Sequence, residues 1–290
     1  MKISHNISSK FEIIGHRGNP GNPLNSINIE NTIQSFQSAL DLGAHRIELD
    51  VILSKDLKKL VHHDDFTGRV FFIPGESKQN LVSEYTYDEL QKAQININGL
   101  KEALQKKGSQ LTSKIEHARI PLLEEILIPK GTKLFIELKF LNDKLPQDNK
   151  YLKEMVKEVV EFITTKGLIE QTCVLCFVVE ALDEVKKLNN KITTAHNIYQ
   201  GEANDLQKIK QLKKDYGFDI MNPCLDQATK KAIENIHSEG LKTYPWTWKE
   251  SPEEEIVEIK RLIIDGADGA ITYQAETAID VLSKFSPKIQ

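Results

Sequence analysis

Residues 45–64 read HRIELDVILSKDLKKLVHHD. From Arg46 to Val51 charged and apolar residues alternate without a break, so a β-strand here puts Arg46, Glu48 and Asp50 on one face and Ile47, Leu49 and Val51 on the other. A second strand pattern, 59–62, follows after a few residues around 54–57. A parallel crossover needs about a dozen residues or more, so these two strands form a hairpin. Seven further strand candidates lie at 12–15, 133–138, 172–177, 192–196, 219–222, 241–246 and 269–272. Helical patterns lie between or beside them at 32–42, 121–127, 150–165, 180–188, 205–213, 227–238, 252–265 and 275–282, with Gly43, Gly240 and Gly266 as stops. Repeated βα units give a mostly parallel sheet with helices outside. With one member of the hairpin left out of the wall, the remaining strands suffice for an eight-stranded α/β barrel.

The rhythm breaks once, over residues 64–119. This stretch shows no clear strand, a helix signal at 86–94 and a Lys/Gln-rich run at 100–114 that reads as solvated surface. We read it as a small, mostly helical insertion within a single domain spanning 1–290. The composition narrows the function classes. A net charge of −4 and a pI near 6.1 argue against a nucleic-acid protein held by a basic surface. No apolar run approaches the roughly 18 residues of a membrane span, and no export signal is visible, so a cytoplasmic setting is expected. The three cysteines then read as reduced thiols. Cys173 and Cys176, three apart on a strand, face opposite sides and suit neither zinc nor a redox pair.

The polar residues at strand ends carry the chemistry. Glu48, Asp50 and Glu137, facing into a barrel, form a hard oxygen site suited to Mg²⁺ or Ca²⁺ rather than zinc. Like charges side by side need a cation, and Arg17, Arg46 and Lys139 are the alternative to a metal. Arg17 and Lys139 also suit a phosphate. His16 and His63 titrate near neutral pH. Barrel enzymes place such groups at C-terminal strand ends, and this combination points to phosphodiester cleavage.

His16-Arg17-Gly18, Glu30-Asn31-Thr32, Ile47-Glu48-Leu49-Asp50-Val51, His63-Asp64 with Arg69, Ile136-Glu137-Leu138-Lys139, Trp246-Thr247 and Gly266-Ala267-Asp268-Gly269-Ala270-Ile271-Thr272 occur in this order. The set resembles the glycerophosphodiester phosphodiesterase family over nearly the whole chain. The resemblance implies a TIM-type (β/α)8 barrel. It implies a metal on Glu48, Asp50 and Glu137, an acid/base pair in His16 and His63, phosphate contacts from Arg17 and Lys139, and a pocket wall at Trp246. Trp248 shares a strand face with Trp246 and is expected in core packing. Glu30 is expected to start the first helix and hold the His-Arg-Gly turn. His45 and His62 point away from their neighbours in the site and are expected to stay out of the reaction.

The implied enzyme hydrolyses glycerophosphodiesters, such as glycerophosphocholine or glycerophosphoethanolamine, to sn-glycerol 3-phosphate and an alcohol, with small molecules as partners. His16 is the expected base and His63 the acid. The nucleophile is water or the substrate's own 2-hydroxyl. Two alternatives share the sequence pattern: a lysophospholipase D or sphingomyelinase D-like phosphodiesterase, and an inactive binding scaffold, against which the complete polar set argues. Three departures bear on substrate choice. The loop 19–29 is longer than usual and Ile29 replaces a proline; Cys176 precedes Phe177 where serine is usual; Tyr273 stands where aspartate is usual. Selectivity is expected in residues 64–119 and loop 19–29, with Phe71, Phe72 and Tyr85 as candidates to line a cap or to form a local core.

Overall fold

A computed structural model describes residues 11–20, 28–96, 118–126, 128–129, 131–247 and 251–284. Its strands are β1 (Glu12–Gly15), β2 (Arg46–Leu53), β3 (Lys59–Val61), β4 (Phe71–Phe72), β5 (Gln94–Ile95), β6 (Lys133–Leu138), β7 (Thr172–Cys176), β8 (Thr193–Ile198), β9 (Ile220–Pro223) and β10 (Gly269–Thr272). A curled parallel sheet runs β10-β1-β2-β6-β7-β8-β9, and β3 hangs antiparallel on β2. The hairpin's wall member is therefore β2.

The sheet closes through residues 242–246, expected to be a strand and found without a ladder. Lys242 bridges Ile220, and Trp246 bridges both Cys224 and Ile271, all in parallel sense. Side chains intercept the backbone donors between them. Thr243 N–H goes to the Asp268 carboxylate at 2.9 Å and Tyr244 N–H to Asn222 Oδ1 at 2.9 Å. Pro245 has no N–H to give. The closure therefore completes a TIM-type barrel.

Helices Ile33–Asp41, Asn149–Thr165, Val179–Leu188, Leu206–Tyr216, Lys230–Ser238, Pro252–Asp265 and Ala275–Lys284 cover the outside. Thr32, Asp148, Asp205, Thr229 and Ser251 each accept a hydrogen bond from a backbone N–H of the first turn and so fix where five of them start. The helix expected at 121–127 is only a 3₁₀ turn, Leu123–Glu125. Val61 N–H binds Pro121 O at 2.8 Å and Leu122 bridges Leu60, so β3 captures the backbone that a helix would need.

Alternation along the strands sorts two cores. Ile47, Leu49, Val51, Leu134, Ile136, Val174 and Cys176 face outward and pack with Met155, Val159, Leu182 and Ile209 of the helices. Ile14, Phe135, Cys173, Leu175, Ala195, Ile220 and Tyr244 fill the lower barrel. Cys173 and Cys176 thus lie on opposite faces, as their spacing predicts. Arg46 lies over the rings of Phe135 and Tyr244 at 5.1 and 5.5 Å and pairs with Glu12 at 2.6 Å. It closes the bottom of the barrel and neutralises none of the carboxylates above.

The described part of 64–119 departs from a mostly helical reading. It holds the antiparallel pair β4–β5, a 3₁₀ turn (Val82–Glu84) and the short helix Tyr87–Leu90 with a Thr86–Glu89 capping box. Strands of two residues are too short to leave an alternating pattern. Phe71 sits with Val70, Val82, Leu90 and Ile95 in a local core that Tyr85 also packs against, so these two rings line no cap. The run 100–114, most of loop 19–29 and Trp248 lie outside the described residues. Among the described residues no helix is long and apolar enough to cross a membrane.

Candidate active site

The upper barrel is polar because the inward positions of β2 and β6 change character above Phe135. Parallel pairing sets Asp50 beside Glu137, with Glu48 one inward position below on β2. One carboxylate oxygen from each of Glu48, Asp50 and Glu137 lies within 4.8 Å of the others, and all three residues are buried. β3 returns downward beside β2, and His62 N–H binds Asp50 O at 3.1 Å. That brings His63, next in line, to the level of the carboxylates. His16 arrives from the turn after β1. His16, Arg17, Glu48, His63, Glu137, Lys139 and Trp246 line one cavity of about 80 Å³.

The turn after β1 is built for close packing. Gly18 has φ +87°, and a Cβ there would lie 2.5 Å from Ser35 Oγ and 2.6 Å from its carbonyl carbon. Only glycine lets the turn sit on the first helix. The turn then presents Arg17 N–H to Glu48 Oε2 at 2.8 Å. The guanidinium bonds Glu30 at 2.9 Å, and its Nε lies 3.2 Å from Asp50 as an ion-pair contact without hydrogen-bond geometry. Glu30 thus holds the turn as expected, whereas Thr32, not Glu30, caps the helix.

His16 Nδ1 lies 3.3 Å from the Thr247 carbonyl, and its ring is 4.2 Å from the Tyr273 ring. A carbonyl accepts only, so the proton sits on Nδ1 and Nε2 is left bare. Burial, helped by the Arg17 charge, lowers its pKa to about 3, so the ring is neutral at neutral pH. His63 Nδ1–H donates to Asp64 Oδ1 at 2.9 Å. Burial opposes the Asp64 charge, but the bonds from His63 and Arg69 outweigh it and hold this carboxyl well below its usual range. Lys139 Nζ bonds Glu137 at 2.8 Å and Asp143 at 2.9 Å.

Several members of the site were not singled out from sequence. Asn31, at φ +56°, donates to Asp50 Oδ2 at 2.7 Å and accepts the Asp50 N–H at 3.2 Å. Asn197 donates to Glu137 Oε2 at 3.0 Å. Its signal was present: it is the inward position two residues past Ala195, just beyond where the sequence pattern ends β8. Phe177 and Tyr199 stack at 4.3 Å and meet the Trp246 ring edge-on at 5.7 and 5.3 Å, so Trp246 belongs to a cavity wall. His45 and His62 lie elsewhere. His45 Nδ1 accepts the Ile13 N–H at 3.0 Å, and His62 packs against Phe71.

The donor set fits a divalent cation. Among the described residues, Arg17 and Arg69 link Glu30, Glu48, Asp50 and Asp64, and Lys139 links Glu137 and Asp143, so these six carboxylates meet three fixed cations. Glu48 Oε1 and Asp50 Oδ1 are buried without a hydrogen-bond partner among the described residues. Such oxygens are costly unless something positive meets them. Burial, then the charges of Asp50 and Glu137, push the Glu48 pKa well up. Burial also raises Asp50, but His63, Arg17 and Lys139 overcome it and hold that carboxyl down.

Comparison with known proteins agrees with this geometry. Residues 16–277 match the glycerophosphoryl diester phosphodiesterase family. A glycerophosphodiester phosphodiesterase of Caldanaerobacter subterraneus subsp. tengcongensis is 26% identical over 94% of this chain and 98% of its own. Among solved structures, a glycerophosphodiester phosphodiesterase of Parabacteroides distasonis superposes with TM-score 0.68 at 21% identity, covering 94% of this chain and 97% of that one. An Oleispira antarctica phosphodiesterase in complex with the product sn-glycerol-3-phosphate superposes with TM-score 0.71 at 20% identity, covering 96% and 98%. With the match running from His16 past Thr272, this chain belongs to the glycerophosphoryl diester phosphodiesterase family and is a hydrolase.

Proposed function

We propose that this protein, read as one barrel domain with an insertion at 64–119, hydrolyses glycerophosphodiesters such as glycerophosphocholine and glycerophosphoethanolamine. The products are sn-glycerol 3-phosphate and the free alcohol. Glu48, Asp50 and Glu137 hold one divalent cation, Mg²⁺ or Ca²⁺, which when bound supplies Lewis-acid polarisation of the phosphoryl group. The observation that carries the reading is the pair of orphaned oxygens on Glu48 and Asp50, two members of a carboxylate trio whose Glu48 and Glu137 line a cavity with His16 and His63.

The two histidines divide the proton work. His16 is neutral, carries its proton on Nδ1 toward Thr247, and has Nε2 free to take a proton from the nucleophile. His63 has the Asp64 carboxylate on Nδ1, which orients the ring and leaves Nε2 as the nitrogen that protonates the leaving alkoxide. Arg17 and Lys139 meet the phosphate oxygens. Trp246, Phe177 and Tyr199 give the glycerol carbons an apolar wall. Three buried, unpaired cysteines fit a reducing, cytoplasmic setting.

The test is release of sn-glycerol 3-phosphate by protein stripped with chelator and reloaded with Mg²⁺ or Ca²⁺, with lysophospholipids assayed alongside. Release is expected only in the reloaded protein. His16→Ala and His63→Ala should each cost on the order of 10²–10⁴ in kcat, while His45→Ala and His62→Ala should not. Full activity in chelator, or faster turnover of the lysolipid, would overturn the reading.

A further inference from the structure

Beside the cavity that holds the carboxylates lies a larger one, about 400 Å³ against about 80 Å³. The two share His63 and Lys139 and no other lining residue. Two loops build the outer cavity, one following β3 and one following β6. They are tied across it by Asn142 N–H, which donates to Asp65 Oδ2 at 2.9 Å. Asn142 and Asp143 hold left-handed φ values of 53° and 52° to make that bond and the Lys139–Asp143 pair together. On the remaining side Lys78 comes in against Gly68. At φ +121°, a Cβ on Gly68 would lie 2.5 Å from the Lys78 Cβ, so glycine is what allows this approach.

The charges lining this cavity are mostly committed already. Asp64 is held by His63 and Arg69, Asp143 by Lys139, and Arg69 by Glu30 as well, while Asp65 takes the Asn142 N–H and burial raises its pKa, which disfavours its charge. Lys78 makes no ion pair among the described residues; its ammonium lies 5.7 Å from the Phe72 ring. It is the cation left to meet an incoming ligand.

We infer that the outer cavity receives the leaving alcohol, and that Lys78 selects headgroups bearing carboxylate or hydroxyl groups over the trimethylammonium of choline. The inference rests on the function proposed above. Every substrate of that reaction shares the glycerol phosphate half and differs in the alcohol. The small cavity, walled by rings and carrying the carboxylates, suits the constant half. The wide one suits the half that varies. His63 stands on the boundary, where a proton donor to the bridging oxygen must stand. A lysine facing the variable half attracts a carboxylate, hydrogen-bonds a hydroxyl and repels a quaternary ammonium, which discriminates by both attraction and repulsion. Its pull on the phosphate itself is common to all substrates and cancels in their ratios.

The experiment compares kcat/KM for glycerophosphoserine, glycerophosphoinositol and glycerophosphocholine in metal-loaded parent, Lys78→Ala and Lys78→Glu, and measures inhibition by sn-glycerol 3-phosphate in each. Lys78→Ala should lower the serine-to-choline ratio by on the order of fivefold, and Lys78→Glu should lower it further. Inhibition by sn-glycerol 3-phosphate should stay within about twofold of parent, because that product occupies the inner cavity. Ratios unmoved in both variants would overturn the subsite while leaving the activity standing. So would a parallel loss of product inhibition, which would put Lys78 on the constant half. A parent that hydrolyses none of the three diesters defeats the proposed function itself, and the subsite with it.

Discussion

Arg69 belongs to the insertion, is half exposed, and joins both halves of the proposed machinery. Its Nε and Nη2 bond Asp64 at 2.8 and 2.9 Å, and its Nη1 and Nη2 bond Glu30 at 2.9 and 2.5 Å. Asp64 orients His63, and Glu30 holds Arg17. One planar fork therefore fixes a proton donor and a phosphate contact at once, which a lysine cannot imitate. Arg69→Ala should lower kcat by about 10–100-fold, with Arg69→Lys little better, and added guanidinium should restore part of the loss in the alanine variant. A variant with parent kcat, or one whose loss guanidinium leaves untouched, would show that the fork positions nothing. Sequence made Arg69 visible only as part of an ordered motif, because its two partners lie 5 and 39 residues away and no local periodicity links them. Glu48, Asp50 and Glu137 were legible for the opposite reason: each sits on a strand whose alternation alone fixes the facing, and Lys139 continues that alternation one residue past β6.

Among the elements, β2 shows how far pattern carries. Its alternation and the short link to β3 determine hairpin and wall, and the βα rhythm determines the rest of the sheet to within a residue or two at most strand ends. What pattern could not show is where side chains take over backbone bonds. Residues 242–246 have a strand's composition, yet Asp268 and Asn222 accept the N–H groups a ladder would use. The β4–β5 pair is too short to have a period at all. β8 carries a consequence of its facing. His196 points outward, is buried against Phe218, and has Nδ1 3.3 Å from the Cys176 carbonyl, with Lys208 as the charged group acting on it. Burial first, then Lys208, lowers its pKa to about 4, below the ordinary 6.5. A histidine kept neutral by the fold binds fewer protons folded than unfolded. It costs nothing above pH 6.5 and removes stability as pH falls from there toward 4, by at most about 1.4 kcal/mol per unit. Urea unfolding of parent and His196→Leu at pH 7 and pH 5 checks this. The variant should lose less stability across the interval, and an identical loss would mean that His196 is not one of the protonating groups.

At the scale of the whole molecule, the barrel stabilises itself from below and carries a charge burden on top. The lower half is apolar, closed by the Arg46–Glu12 pair, whereas the upper half sets Glu30, Glu48, Asp50, Asp64, Glu137 and Asp143 against Arg17, Arg69 and Lys139. A cation-free fold must then tolerate three acidic side chains with oxygens within 4.8 Å of one another, and a bound divalent ion relieves that repulsion. Glu48→Gln separates the two effects. The new side chain has the same shape, can still accept the Arg17 N–H through its amide oxygen, and can turn its NH₂ toward Asp50. Removing an acidic group whose charged form the site disfavours should therefore stabilise the metal-free protein, by about 1 kcal/mol or a few degrees in Tm. The same change should abolish most of the stabilisation that Mg²⁺ or Ca²⁺ gives the parent, about 2.7 kcal/mol at a concentration of 100 Kd. The signs are opposite, which a simple loss of packing cannot produce. Thermal melts of parent and variant, with chelator and with added metal, decide the matter. A metal-free variant that melts below the parent would mean that Arg17 and Lys139 already neutralise the carboxylates and that the site is stable without an ion.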